Sequence, residues 1–348
     1  EHADFTDCAP SRCYVELFAG TATMLQFHAR DPNARLLAID HMPRDRFRRL
    51  IPAHLRDRIL YYKLDLASLT PSKYESILRR TLGINPSQVS HAHASPPCTS
   101  FSIASRDKET VRHYLGGQPH SPTAIKDHDM LQTVLHTLHT CHPHNGGTAV
   151  SVENPVSKRF RELPLVQATL RLPGWHIFTA DHCMLASDMD TDPTFARKPT
   201  LWLCRNIHPD AARNAPTCSK TGPRCRCKVD GTEVHKRVIC RPRSGQPLLP
   251  GQTVHANDAS KARIPLGAFQ LLTCGTIPPP PSAHVRPSET RQVTHNRFPA
   301  PPPPKPAPTT HTRTPRTTKR APHKHSHDAT CFLATHAACP SSAVAPTT

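Results

Sequence analysis

The chain has 348 residues, 36% of them hydrophobic and 5% aromatic, with 39 prolines and a formal charge of +18. The apolar share falls below the ~45–50% of an ordinary globular domain, and no apolar run reaches the ~18 residues of a membrane span. A pI of about 9.7 points to a polyanionic partner, of which nucleic acid is the commonest, and 13 cysteines without a paired framework read as mostly reduced, in an intracellular and not a secreted protein.

In chain order, the opening EHADFTDCAPSR has no apolar signal-peptide core and no Met, which fits an excised fragment. Apolar runs predict strands at Cys13–Phe18, Leu36–Asp40, Ile59–Leu64, Gln88–Ala94, Thr148–Glu153, His176–Ala180 and Pro199–Cys204. The best-marked helix is Pro122–Cys141. Ser121 is a natural N-cap, Pro122 suits the first helical position, and Leu131, Val134, Leu135 and Leu138 share one face. Further helices are expected after Thr70 and after Asn154. Strand alternating with helix predicts an α/β fold with a parallel sheet and helices on both faces. Residues 205–262 turn polar and rich in Arg, Pro and Cys, and Ile264–Cys274 is an amphipathic return to the core. Residues 277–348 hold 16 prolines and nine Lys or Arg against Glu289 and Asp328, a net of +7. That composition cannot bury enough apolar surface to offset chain entropy, so a disordered tail is predicted.

Three strand ends carry chemistry. The run Tyr14-Val15-Glu16-Leu17-Phe18-Ala19-Gly20-Thr21-Ala22-Thr23 is a strand entering a turn of small residues, which lets backbone N–H groups approach a ligand at the carboxyl end of a parallel sheet. About twenty residues on, Asp40 closes the second strand, placed to accept hydrogen bonds from ribose hydroxyls. Asp65 ends the third. An ordinary βα turn with solvated acids would give the same pattern. The stretch Ser95-Pro96-Pro97-Cys98 follows the fourth strand. Two prolines stiffen the exit, so the cysteine is held at fixed geometry, as a nucleophile requires. Glu153-Asn154-Pro155 repeats the placement one βα unit later. A partly desolvated Glu there has a raised pKa and can donate a proton to a ring nitrogen.

Taken in this order, the motifs resemble the cytosine-5 DNA methyltransferases, over roughly residues 12–275. ELFAGT is similar to that family's cofactor turn, SPPCTSFS to its Pro-Cys nucleophile loop and ENP to its Glu-Asn motif. Arg197-Lys198-Pro199-Thr200-Leu201-Trp202 resembles its strand with a basic residue after the substrate loop, and Arg263-Ile264-Pro265-Leu266 the opening of its closing helix. The resemblance implies a Rossmann-like sheet binding S-adenosylmethionine. Phe18 and Gly20 would lie near the methionine part, Asp40 on the ribose and Asp65 near the adenine, with Thr21 and Pro96 completing the set. Cys98 would add to carbon 6 of cytosine, Glu153 would stabilise the ring through its nitrogen, and Asn154 and Arg197 would complete the catalytic group. It divides the chain into a catalytic core (1–204), a basic recognition region (205–262), a closing helix (263–276) and the tail (277–348). The expected partner is DNA, but the motifs do not separate DNA from RNA, and a nucleic-acid-binding module without turnover is the third reading. The sequence departs from the family at Ala22, Thr99 and Pro155, and the family's double arginine is reduced to Arg197-Lys198.

Cys218, Cys225, Cys227, His235 and Cys240 are the candidate zinc ligands, although Cys225-Arg226-Cys227 is too close for an ordinary knuckle. The alternative is a basic recognition loop with free thiols, and no metal is expected. The 25 histidines are scattered, many in the tail, and read as compositional bias, His91 and His93 included.

Overall fold

The computed structural model describes residues 12–101, 114–115, 118–187, 190, 195, 198–218, 237–238, 253–254 and 264–276. Arg197, Cys225, Cys227, His235, Cys240, Arg263 and the proline-rich tail lie outside them.

Seven strands form the central sheet: β1 (Cys13–Leu17), β2 (Arg35–Asp40), β3 (Ile59–Lys63), β4 (Val89–Ala94), β5 (Ala149–Pro155), β6 (His176–Asp181) and β7 (Pro199–Arg205). The helices are α1 (Thr23–His28), α2 (Arg44–Leu50), α3 (Pro71–Leu82), α4 (Pro122–Cys141), α5 (Lys158–Glu162), α6 (Pro164–Leu170) and α7 (Leu266–Cys274). The strand order is β3-β2-β1-β4-β5-β7-β6. The first five pair in parallel, whereas β7 runs antiparallel to both β5 and β6. This is a doubly wound, Rossmann-like order, with helices on both faces. The expectation of an all-parallel sheet is corrected at β7. A parallel neighbour needs a crossover connection, usually an α-helix. Between β6 and β7 the described residues hold only the single 3-10 turn His182–Met184, and the chain returns antiparallel.

Alternate residues of each strand supply the two faces. Val15, Leu17, Leu37, Ile39, Ala92, Val150, Val152, Leu201 and Leu203 pack with Tyr74, Ile77 and Leu78 of α3 and Leu131, Val134, Leu135 and Leu138 of α4. Tyr14, Leu36, Ala38, Trp202 and Cys204 face the other way, onto Met24 and Leu25 of α1 and Phe269, Leu271 and Leu272 of α7. With both faces covered, β1 is buried along its whole length, as central parallel strands are.

Local chemistry sets where the helices start. The Ser121 hydroxyl accepts the Ala124 N–H at 3.1 Å, and that of Thr70 accepts the Lys73 N–H at 3.2 Å, each satisfying a donor that a helix start leaves open. The helical region after Asn154 begins later than its motif suggests. β5 continues through Pro155, and two short helices follow, broken between Leu163 and Pro164. Likewise β3 stops at Lys63, before Asp65.

Candidate active site at the carboxyl edge of the sheet

The turn after β1 is wound left-handed at alternate residues: Phe18 (φ 55°), Gly20 (φ 49°) and Ala22 (φ 53°). The conformation is free for glycine but costs a residue with a Cβ roughly 1–2 kcal/mol. Ala22 therefore adopts the backbone that a glycine would take at the position where the sequence departs from the family. Retained strain of this kind is characteristic of ligand clamps. The Gly20 N–H donates to Asp40 Oδ2 at 3.1 Å, and Asp40 Oδ1 accepts the Met42 N–H at 3.0 Å. Asp40 is buried and ties the turn to the end of β2. Below it, Glu16 Oε2 accepts the Leu25 N–H at 3.1 Å in the first turn of α1; burial pushes this carboxyl up to about 8. Thr21 hydrogen-bonds Thr23 at 2.9 Å. Phe18, Gly20, Thr21 and Asp40 are thus gathered in one place. Asp65 is exposed and accepts the Ala67 N–H at 3.2 Å, capping a short turn past β3.

The second loop leaves β4 through Ser95, Pro96 and Pro97. Beyond Cys98 it is held from two helices: the Ser100 N–H donates to Asp127 Oδ2 of α4 at 3.1 Å, and Arg159 of α5 donates to the Ser100 carbonyl at 3.0 Å. The Phe101 N–H closes the turn on the Cys98 carbonyl at 3.1 Å. Cys98 is half-buried. Burial raises its thiol above the ordinary value, the Glu153 carboxylate adds to this, and the Lys198 ammonium acts against both. The resting group is therefore a thiol with its two charged neighbours in electrostatic reach.

Glu153 lies in the buried stretch of β5, one residue before its end at Asn154, and receives Lys198 Nζ on Oε1 at 3.0 Å. His182 Nε2 stands 3.9 Å from the same oxygen. Lys198 precedes β7 and His182 follows β6, so the reversal of β7 brings both to the edge that carries Cys98 and Glu153. Asn154 is fully buried, and neither atom of its amide has a hydrogen-bond partner among the described residues. A buried amide without partners costs free energy, and its place beside Glu153 suits a group that a substrate completes.

The sequence reading missed Lys198, His182 and Asp127. For Lys198 the signal was the basic pair Arg197-Lys198, of which Arg197 lies outside the described residues. For the other two, the clue was only a polar side chain at a strand end or on a helix. Of the zinc candidates, Cys218 is buried in a small apolar cluster with Cys183, Ala186 and Phe195, and its N–H donates to Asp181 Oδ2 at 2.6 Å. No group of three metal-ligating side chains occurs among the described residues. Cys98, Cys141, Cys204 and Cys274 carry reduced thiols. Among the described residues no helix is long and apolar enough to cross a membrane.

No protein-family model matches the chain, and no curated protein matches it. Solved structures do resemble it. One is described as a DNA modification methyltransferase encoded within an E. coli prophage: 12% identity, 61% of this chain and 52% of that one covered, TM-score 0.38. A DNMT2 variant from Spodoptera frugiperda gives 15% identity, 61% and 56% coverage and a TM-score of 0.37. A METTL16 methyltransferase domain gives 14%, 60% and 76%, with 0.36. The chain spans about half the length of the first two. At this degree of likeness, substrate and chemistry are read from the site residues.

Proposed function

We propose that the protein transfers a methyl group from S-adenosylmethionine to carbon 5 of cytosine in DNA through a covalent Cys98 adduct. The observation that carries this reading is the convergence of Cys98, Glu153 and Lys198 at one sheet edge, beside the strained Phe18–Ala22 turn. The turn residues fit the cofactor. Asp40 Oδ2 accepts only the Gly20 N–H among the described residues, while Oδ1 accepts the Met42 N–H and lies 3.1 Å from His41 Nδ1, so Oδ2 keeps acceptor capacity for ribose hydroxyls. Phe18, Gly20, Thr21, Asp40, Asp65 and Pro96 would hold it. When bound, S-adenosylmethionine supplies a methyl group activated by a cationic sulfur.

The protein's own residues would do the rest. Cys98 loses its proton and its sulfur bonds to carbon 6 of a cytosine flipped from the stack. The Glu153 carboxylate takes up the proton that Cys98 releases and delivers it to the ring nitrogen, so the electron pair released from the 5,6 double bond makes carbon 5 nucleophilic. Once carbon 5 is methylated, its proton passes to water, the electron pair restores the double bond and expels the Cys98 sulfur as thiolate, and the ring nitrogen returns its proton through Glu153 to Cys98. Lys198 steadies Glu153 and favours the thiolate. Asn154 offers its unpartnered amide to the base. Positive charge in residues 205–262 and in the tail supplies phosphate affinity.

An oligonucleotide containing 5-fluorocytosine tests this directly, because fluorine at carbon 5 blocks the final elimination. The expected result is a protein–DNA adduct at Cys98 by mass spectrometry, competed by unlabelled DNA. Competition by RNA and not DNA would move the substrate to RNA. Methylation without an adduct would overturn the mechanism in favour of amine methylation, and cofactor binding without either would leave a nucleic-acid-binding module.

A further inference from the structure

A row of buried hydrogen bonds runs beneath the site. Ser151 Oγ lies 2.8 Å from His91 Nε2 and 2.8 Å from His93 Nδ1. The other nitrogen of His93, Nε2, lies 2.9 Å from Ser95 Oγ. His91, His93 and Ser151 are all buried, and His93 is walled by the rings of Phe269 and Trp202, with centroids 5.0 Å and 5.9 Å away. Ser151 and Glu153 share one face of β5, while Ser95 is the residue from which the Cys98 loop departs.

The need for such a row follows from the sequence of that loop. Pro96 and Pro97 carry no N–H, so Ser95 is the last residue before Cys98 whose backbone can donate. Its N–H reaches the Leu17 carbonyl only at 3.4 Å, a long bond. The root of the loop is therefore held chiefly through the Ser95 side chain.

The direction of the row can be worked out. The Ser151 hydroxyl has one proton between two imidazole nitrogens, so one ring donates to it and the other accepts. His91 Nδ1 has no partner among the described residues, and a buried orphan N–H is the rarer defect. The consistent arrangement has His91 Nε2–H donating to Ser151, Ser151 donating to His93 Nδ1, and His93 Nε2–H donating to Ser95. Both rings are neutral in it, in keeping with the burial that lowers their affinity for protons.

We propose that His93 is a positioning residue: through Ser95 and Ser151 it fixes the root of the Cys98 loop against the strand that carries Glu153. This deepens the methyltransferase reading and rests on Cys98 being its reactive group.

An amide can replace either nitrogen of the ring. His93→Asn places one near Nδ1, keeping Ser151 and losing Ser95; His93→Gln places one near Nε2, keeping Ser95. Two measurements separate the roles. Deuterium exchange of the Cys98–Phe101 amides reads the loop without any methyl transfer, and the rate of adduct formation with 5-fluorocytosine DNA reads its consequence. His93→Asn and Ser95→Ala should each speed exchange and slow adduct formation by about 10-fold, the worth of one buried hydrogen bond. His93→Gln should remain within about 3-fold of the parent, and the Asn and Gln variants should melt alike. Equal damage in Asn and Gln, or unchanged exchange in Ser95→Ala, would overturn the proposal. If neither His93 variant folds, Ser95→Ala, at a partly exposed position, decides alone. A parent protein that forms no adduct would defeat the cytosine-5 reading, whereas exchange would still test the row.

Discussion

On the face covered by α3 and α4, the sheet presents Val15, Leu17, Leu37, Ile39, Val150, Val152, Leu201 and Leu203, all aliphatic. On the face covered by α1 and α7, it presents Tyr14, Trp202 and Cys204 together with Glu16, His91, His93 and Ser151, and His28 stacks on Tyr14 with centroids 3.7 Å apart. Both faces are buried, but their requirements differ. An aliphatic face needs volume and no partners, whereas every polar group on the other must find a hydrogen bond or cost free energy. The polar face is also the one whose strands run out into Glu153 and the Ser95 root. The comparison teaches that stability and chemistry draw on opposite sides of the same strands.

The largest effect should come from the carboxyl edge above the polar face. Cys98→Ser should abolish turnover while leaving cofactor binding and melting temperature intact, because a serine hydroxyl cannot ionise as a thiol can. Glu153→Gln should cost on the order of 10²–10⁴-fold in kcat, and the double variant little more than Cys98→Ser. Near-normal turnover in Cys98→Ser would sink the mechanism. The aliphatic face should behave in the opposite way. Leu131→Ala should lower stability by about 2–5 kcal/mol, read as a shift in urea midpoint, with unchanged activity per folded molecule.

The pH dependence of stability should separate the two faces further. Burial lowers His91 to about 4, whereas the unfolded imidazole takes up its proton near ~6.5. Its contribution is therefore complete above ~6.5 and lost as pH falls towards 4, about 3 kcal/mol in all. Glu16 works in the reverse sense. Its carboxyl is raised from 4.5 to about 8, so its contribution is complete below 4.5 and lost as pH rises towards 8. The two effects cancel between about 4.5 and ~6.5, and the lowered proton affinities of His28, His93 and His142 add further acid loss there. Denaturation across pH should therefore show a maximum near ~6.5, and Glu16→Gln should remove the decline above it and steepen the loss below. A pH-independent midpoint between 4 and 8 would show that these groups are solvated. The smallest effect belongs to the helix over the aliphatic face: Ser121→Ala should cost about 1 kcal/mol of stability and leave the pH curve unchanged in shape.

Much of this was legible in the sequence, for identifiable reasons. All seven strands were expected near where they lie, although β4, Val89–Ala94, alternates small apolar residues with Ser and His and is no apolar run, and α4 begins where Ser121-Pro122 says it must. The direction of β7 was not legible, because an apolar run reads the same either way. Nor was the ion pair of Lys198 with Glu153, which joins two segments that are far apart in the chain. His91 and His93 read as composition because their partner, Ser151, is on a strand some sixty residues away, and no local pattern carries that pairing.

The antiparallel return of β7 has a consequence for how the protein can change. The segment between β6 and β7 leaves the sheet and re-enters it at the same edge, and its two ends are already joined, the His182 N–H donating to the Lys198 carbonyl at 3.2 Å. Lengthening a segment closed at its base costs little, since loop entropy grows only slowly with length. Insertions into this segment would leave every ladder bond in place and both anchors beside Glu153, provided that the buried Cys183, Leu185, Ala186 and Phe195 and the Asp190 carboxylate that accepts the Leu266 N–H are kept. New specificities, whether evolved or engineered, would enter most cheaply through that one splice point.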